Sequence, residues 1–414
     1  MFPEGFAWGV STAAHQIEGA AGRGPSIWDT FAAEPGRIAD GSTAEVACDH
    51  IARYAEDVAL MAGLGVNAYR FSISWPRVLA GGIGFYDRLI DALLAAGVDP
   101  VATLYHWDLP QSVHEAGGWL ERDTADRFAD YAGQVAGVLG DRVKLWITLN
   151  EPFVQTSLGY GLGTHAPGEE LSFGALAVAH HLLLGHGRAV AALRAAGNVP
   201  VTIANNYSPA EDLDGSGTAQ AYDAFHNRLF TDPLFGLGYP APWHDLMPVE
   251  DGDLAVIAAP LDALGVNYYM PTGVRAPSPS DSLPFAIAPL EGYPTTAFGW
   301  PVVPHGLRTL LTTLHRRYEG TLPPIYITEN GCSYGEKLDD TERIAYLGGH
   351  IQAVRDALAD GVDVRGYFVW SLLDNFEWAE GYSQRFGLVD VDFDTQVRTP
   401  RASFRWYRSL IRGE

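Results

Sequence analysis

Two glutamates each close a strongly apolar run, Glu151 in VKLWITLNE (143–151) and Glu329 in PIYITE (324–329). Two carboxyls at one site are the minimum for breaking a glycosidic bond. One protonates the departing oxygen, and the other attacks the anomeric carbon or activates a water. A lone glutamate after a strand reads as a helix-start carboxylate favoured by the helix dipole. The pair, with Asn150 beside one member and Asn330 beside the other, points instead to a reacting centre. Further polar and aromatic side chains end the other apolar runs: Arg70, His106 with Trp107, Asn205 with Asn206, Asn267 with Tyr269, and Trp370.

Those side chains need strands to carry them. Eight runs read as strands: FAWGVST (6–12), VNAYRFSIS (66–74), PVATLYHW (100–107), VKLWITLN (143–150), VPVTIANN (199–206), LDALGVNYY (261–269), PIYITEN (324–330) and VRGYFVWS (364–371). They are short, rich in β-branched and aromatic residues and apolar nearly throughout, as strands buried on both faces are. Helical patterns separate them, over 44–64, 85–96, 124–139, 173–196, 307–318 and 340–359. Eight strands alternating with helices predict an α/β chain folded as a (β/α)8 TIM barrel, a single domain over 1–414. The catalytic groups of such a barrel collect at the C-terminal rim of its strands. A doubly wound open sheet is the rival, but no strand here leads into a glycine-rich phosphate loop.

Composition narrows the partners. The formal net charge is −23, from 27 basic and 50 acidic side chains, and lysine occurs only at Lys144 and Lys337. Such a field repels nucleic acid and anionic membranes. Two cysteines in 414 residues make neither a disulfide framework nor a metal site. No basic segment with a long apolar run opens the chain, and no run is long enough to span a bilayer, so a soluble, cytoplasmic protein is expected. His180, His181 and His186 cluster on a helix, but no carboxylate stands at a ligand spacing.

The chain resembles glycoside hydrolase family 1, the β-glucosidase family, over essentially its whole length. The blocks that carry the likeness are FAWGVSTAAHQIEG (6–19), CDHIARYAEDVALMAGLGVNAYRFSISWPR (48–77), LYHWDLP (104–110), TLNEP (148–152) and HAPG (165–168). LGVNYY (264–269), YITENG (326–331), VWSLLDNFEWAEGYSQRFGLVDVDFDTQ (369–396) and RTPRASFRWYR (398–408) follow in order. The resemblance implies a retaining exo-β-glucosidase without cofactor or metal. Its substrates would be small β-glucosides such as cellobiose, with β-galactosides and β-fucosides also open, and transfer to acceptor alcohols possible through the same intermediate.

Carried over position by position, the resemblance makes Glu329 the nucleophile and Glu151 the acid/base. Arg70 and Tyr269 would keep Glu329 ionised, and Asn150 would hold the sugar 2-hydroxyl. A retaining pair stands roughly 5 to 5.5 Å apart. Gln16, His106, Glu377 and Trp378 resemble the residues that bind the 3-, 4- and 6-hydroxyls, with Trp370 as the stacking floor; Trp107 and Asn267 join the sugar-binding set. Glu377 accepts from neutral hydroxyls and repels a 6-phosphate, so an unphosphorylated sugar and a closed pocket, rather than an open cellulase cleft, are expected. Trp300 and Phe386 resemble outer-pocket residues. The chain departs from the family pattern at His15, where tyrosine is usual, at His305 before GL, and in the short stretch VLAGGIGFYD (78–87). A sugar-binding protein without catalysis is the reading from another class; a missing glutamate would support it, and both are present.

Overall fold

A computed structural model describes residues 2–197 and 199–414. Each of the eight apolar runs forms one strand: β1 (Ala7–Ser11), β2 (Ala68–Ser72), β3 (Asp99–Tyr105), β4 (Leu145–Asn150), β5 (Val201–Tyr207), β6 (Leu264–Tyr268), β7 (Ile325–Asn330) and β8 (Val364–Trp370). Neighbours in sequence are neighbours in space, every pairing is parallel, and β8 returns to β1 with Ala7 opposite Gly366 and Ser11 opposite Trp370. The barrel is therefore closed. The principal helices are α1 (His50–Leu64), α2 (Ile83–Ala95), α3 (Asp123–Leu139), α4 (Leu176–Ala196), α5 (Ala219–His226), α6 (Pro304–Arg317), α7 (Thr341–Ala359) and α8 (Ala402–Arg412).

The helix read over 44–64 is shorter than its pattern. It starts at His50, because Ala47 and Asp49 adopt positive φ of 52° and 48°. Left-handed backbone cannot continue a right-handed helix. The others begin and end within a few residues of their apolar periodicity, as packing on a barrel predicts.

Alternation along the strands sorts the core. Val10, Tyr69, Phe71, Ala102, Leu104, Trp146, Val266 and Ile327 belong to the large core beneath the helices. Ala68, Val101, Leu145, Ile147, Ala204 and Phe368 form a separate small cluster. Burying each large apolar side chain contributes about 1.5–3 kcal/mol. Two residues further along β2 and β3 the same parity delivers Arg70 and Thr103, both buried. The barrel interior thus changes from apolar to polar as its strands approach their C-terminal ends.

The two strands that lead into the glutamates each hold an extra residue near their C-terminal ends. Between Ile147 and Asn150, β4 advances three residues while β5 advances two, from Thr202 to Ala204. Between Ile327 and Glu329, β7 advances two residues while β6 advances one, from Val266 to Asn267. An extra residue of this kind bends the strand and re-aims the side chain that follows.

Candidate active site

Glu329 and Glu151 both line one cavity of about 520 Å³ at the C-terminal rim, and both are at least 95% buried. Their surroundings differ. Arg70 on β2 donates from Nη1 to Glu329 Oε1 at 2.6 Å, and the Tyr269 hydroxyl donates to Glu329 Oε2 at 2.7 Å. Both oxygens of Glu329 thus meet a donor suited to a carboxylate. Glu151 accepts one amide hydrogen bond, from Asn267 Nδ2 at 2.8 Å. Burial pushes both carboxyls up, and each one's charge disfavours the other's. Burial and the neighbouring Glu329 bring Glu151 to about 8, while Arg70 and Tyr269 oppose the rise at Glu329. The pair titrates as a unit, and the Arg70 and Tyr269 donors on Glu329 favour the proton on Glu151.

A buried network fixes these positions. Arg70 also donates to Asn150 Oδ1 at 2.6 Å, to the Thr328 carbonyl at 3.0 Å and to Thr103 Oγ1 at 3.2 Å. Asn267 Nδ2 reaches Asn150 Oδ1 at 3.0 Å, and Thr328 Oγ1 donates to Asn267 Oδ1 at 2.6 Å. Asn150 Oδ1 therefore accepts from two donors, which orients its amide. Its Nδ2 then faces His106 Nε2 at 3.0 Å, so that ring nitrogen accepts and the proton lies on Nδ1. His106 Nδ1 is buried and has no protein partner. Burial and then the Arg70 charge hold this imidazole neutral. Its one N–H is the buried Nδ1–H, on a ring that lines the cavity.

Rings form the walls. Trp370 and Trp378 lie near-parallel to His106, each with centroids 5.8 Å away. Trp107 lines the cavity while its indole N–H donates to the Asn150 carbonyl at 2.8 Å, so it also braces the network. Trp300 meets Tyr269 edge-on at 5.3 Å, and Phe386 lies 6.1 Å from Trp300. Gln16 is fully buried behind this wall, donating to Asn375 Oδ1 and the Phe376 carbonyl at 2.9 Å, with its Oε1 unpartnered. Glu377 lines the cavity, and burial with the Glu329 charge pushes its carboxyl up to about 8. Apolar faces with a few convergent polar groups suit a pyranose.

Local backbone is bent to reach this geometry. Trp107, Glu151 and Trp378 have φ of 72°, 47° and 51°, a left-handed region that non-glycine residues adopt at a cost of about 1–3 kcal/mol. The Glu151 amide is held by the Ala204 carbonyl at 2.7 Å. Beyond Glu329, a Cβ on Gly331 would stand 1.7 Å from the Trp370 carbonyl oxygen, so β7 can leave the barrel against β8 only through a glycine.

The structure brings all fourteen residues given catalytic or sugar-binding roles above to this cavity or its supporting shell. Thr103 and Thr328, which orient Arg70 and Asn267, were not singled out; a threonine inside an otherwise apolar strand is the mark that finds them. Asn206, near the end of β5, also lines the cavity, as do Phe153, His165 and His226, whose approach no spacing announces. His15 is buried behind Trp378, stacked on it at 5.8 Å and 6°, with Ser26 Oγ at 3.5 Å. The helix histidines are each paired separately: His180 with Asp253 and Tyr239, His181 with the Trp119 carbonyl, His186 with Thr148. Among the described residues no group of three His, Cys, Asp or Glu could hold a metal, and no helix is long and apolar enough to cross a membrane.

A family profile described as Glycosyl hydrolase family 1 matches residues 1–414. The chain is 46% identical to "Thermostable beta-glucosidase B" of Thermobispora bispora over 437 aligned positions, covering 99% of this chain and 90% of that one. It is 42% identical to the "Bifunctional beta-D-glucosidase/beta-D-fucosidase" of Bifidobacterium breve, covering 99% and 98%. The crystal structure of a psychrophilic beta-glucosidase from Micrococcus antarcticus superposes with a TM-score of 0.95 at 45% identity, covering 100% and 97%.

Proposed function

This chain belongs to glycosyl hydrolase family 1, and we propose that it is a retaining exo-β-glucosidase that releases terminal β-D-glucosyl residues by double displacement. The observation that carries the reading is the unequal seating of two glutamates in one cavity. Glu329, gripped by Arg70 and Tyr269, is built to stay ionised and attack; Glu151, buried with one amide partner, is built to keep its proton. In the first step Glu329 bonds to the anomeric carbon while Glu151 gives its proton to the glycosidic oxygen, and the aglycone leaves as an alcohol. In the second, Glu151 takes a proton from water, whose oxygen displaces Glu329 from the same carbon. Two inversions restore the β configuration. An acceptor alcohol in place of that water gives transglycosylation.

His106 and Glu377, both lining the cavity, are suited to sugar hydroxyls, with Asn150 and Gln16 holding them from behind. No lysine or arginine lines the cavity, while Glu377 and Glu380 do, which favours an unphosphorylated sugar such as the terminal unit of cellobiose. β-Fucosides and β-galactosides, differing at positions 6 and 4, are secondary substrates in this reading. Cys48 and Cys332 are free and buried, in keeping with a reducing, cytoplasmic setting.

Proton NMR of p-nitrophenyl β-glucoside hydrolysis tests the mechanism. β-Glucose is expected first, with α-glucose growing in only by mutarotation; α-glucose first would replace the mechanism by an inverting one. A second expectation arises at Gly331. Gly331→Ala has to separate β7 from Trp370, and displacing a reacting group by about an ångström costs about 10²-fold. A fall of that order in kcat/KM, with a cooperative melt retained, is the expected result; unchanged kcat/KM would show that the contact does not position Glu329.

A further inference from the structure

Behind the ring wall of the catalytic cavity lies a surface hollow of about 370 Å³, which opens to solvent at Thr43 and Glu45. His15 and Trp28 line this hollow, and both rings also pack on Trp378, with centroids 5.8 and 4.7 Å away. One layer of rings thus separates the hollow from the indole that lines the sugar cavity. Trp378 itself opens a three-residue turn, Trp378–Glu380, with φ of 51°. Its other ring neighbours are fixed independently. Trp107 donates to the Asn150 carbonyl, His106 Nε2 accepts from the Asn150 amide, and Trp28 packs on Phe31 and His165.

His15 and Gln16 are consecutive in the short helix Ala14–Ile17, and together they grip the loop that follows β8. Gln16 Nε2 donates to Asn375 Oδ1 and the Phe376 carbonyl, and reaches Glu377 Oε2 at 3.4 Å. The His15 ring meets Phe376 edge-on at 6.0 Å and lies within 6° of parallel to Trp378. Arg23 Nη2 donates to His15 Nδ1 at 3.4 Å. Burial, and then the Arg23 charge, push this imidazole down to about 3, so it is a neutral ring. Arg23 Nη2 also donates to Asp29 Oδ1 at 2.8 Å, and Ser26 Oγ to Asp29 Oδ2 at 2.9 Å. Neither donor loses that partner if the imidazole is removed. What the ring supplies is bulk against the indole, and close packing of this kind is what confines a side chain to one position.

We propose that His15 is a positioning residue whose ring holds the Trp378 indole against the sugar, and so sets how strictly the cavity requires the 3- and 4-hydroxyls. This rests on the β-glucosidase reading above, with Trp378 serving the 3-, 4- and 6-hydroxyls. Without the imidazole, the hollow and the back of Trp378 become one space, and the indole recedes from the bound glucose. A hydrogen bond weakens steeply as its angle closes and its distance grows. A small retreat therefore loses discrimination while Glu151 and Glu329, at the ends of β4 and β7, stay where they are.

The test is kcat/KM for p-nitrophenyl β-D-glucoside and its 2-, 3- and 4-deoxy analogues, with the wild type, His15→Ala and His15→Phe. In His15→Ala the combined penalty for losing the 3- and 4-hydroxyls is expected to shrink by about fivefold, the worth of one hydrogen bond. The 2-deoxy penalty, whose expected partner is Asn150, should stay unchanged. His15→Phe keeps a ring against Trp378 and should keep every penalty. His15→Asn removes the ring but keeps an acceptor for Arg23, and it carries the alanine expectation should that variant not fold. In a Trp378→Ala background the loss of His15 should alter no penalty, since the indole it positions is gone. Penalties that survive the loss of the ring, a uniform change across all four substrates, or an effect that persists without Trp378 overturns the inference and leaves the glucosidase reading in place. Failure of the wild type to cleave the parent glucoside overturns both.

Discussion

Glu329→Ala is expected to lower kcat on an aryl β-glucoside by about 10⁵-fold, roughly 7 kcal/mol of barrier. The loss is the largest available because the substitution removes the atom that bonds to the sugar; nothing else in the cavity is placed opposite the leaving group with a charge to give. The variant also leaves Arg70 without its carboxylate. Breaking a buried ion pair costs about 3–5 kcal/mol, so part of any effect could come from the fold. Arg70 keeps three acceptors, Asn150 Oδ1, the Thr328 carbonyl and Thr103 Oγ1, which hold its guanidinium in place. Glu329→Gln, isosteric and still an acceptor for Arg70, separates the two contributions. It should lose the activity and less of the stability.

The stereochemistry of rescue is the sharper readout. Azide admitted where the Glu329 carboxylate stood attacks the anomeric carbon from the nucleophile's face and yields α-glucosyl azide. Azide added to a Glu151 variant instead meets the glycosyl-enzyme from the opposite face and yields β-glucosyl azide. The exchange of these two products between the variants would reverse the assigned roles.

The barrel was legible because its strands are buried on both faces. Each apolar run therefore stands out against amphipathic helices, and each ends within three residues of the observed strand. Less was legible on the rim. The three-stranded sheet of Ala210–Asp212, Thr272–Arg275 and Ala286–Ala288 consists of pieces three or four residues long, too short for any period to register. The start of α1 was hidden by Ala47, an alanine in a left-handed conformation that its residue type disfavours. At the site, Glu151, Glu329, Arg70 and Asn267 stood out because a polar side chain terminates an apolar run. The extra residues in β4 and β7 did not, since register is a property of a strand and its neighbour together. Phe153 and His226 read as ordinary loop and helix aromatics; only the fold reveals that they line the cavity.

Glu151→Gln should separate protonation from nucleophilic attack. General-acid assistance is worth about 10²–10⁴-fold, and it is needed most when the leaving alcohol is a poor one. Alkyl glucosides and cellobiose should therefore lose most of their kcat/KM, whereas dinitrophenyl glucoside, whose phenolate leaves unaided, should keep nearly all of it. Its kcat should fall, because water then attacks the intermediate without a base, and KM should fall with it. In the wild type, kcat/KM should decline as pH rises through about 8, where Glu151 gives up the proton it donates, and Glu151→Gln should lack that limb. The same proton couples to stability. An unfolded glutamate titrates near 4.5 and the folded Glu151 near 8, so between those values the native state binds a proton that the unfolded chain has released. Stability then falls with rising pH, and a glutamine at 151 removes that part of the fall. Glu377, also brought to about 8, contributes its own slope to both proteins and largely cancels from the comparison. The melting temperature of Glu151→Gln should thus exceed the wild type's by more at pH 8 than at pH 5. An equal gap at both pH values would mean that Glu151 does not hold the proton, and the acid would have to be sought elsewhere in the cavity.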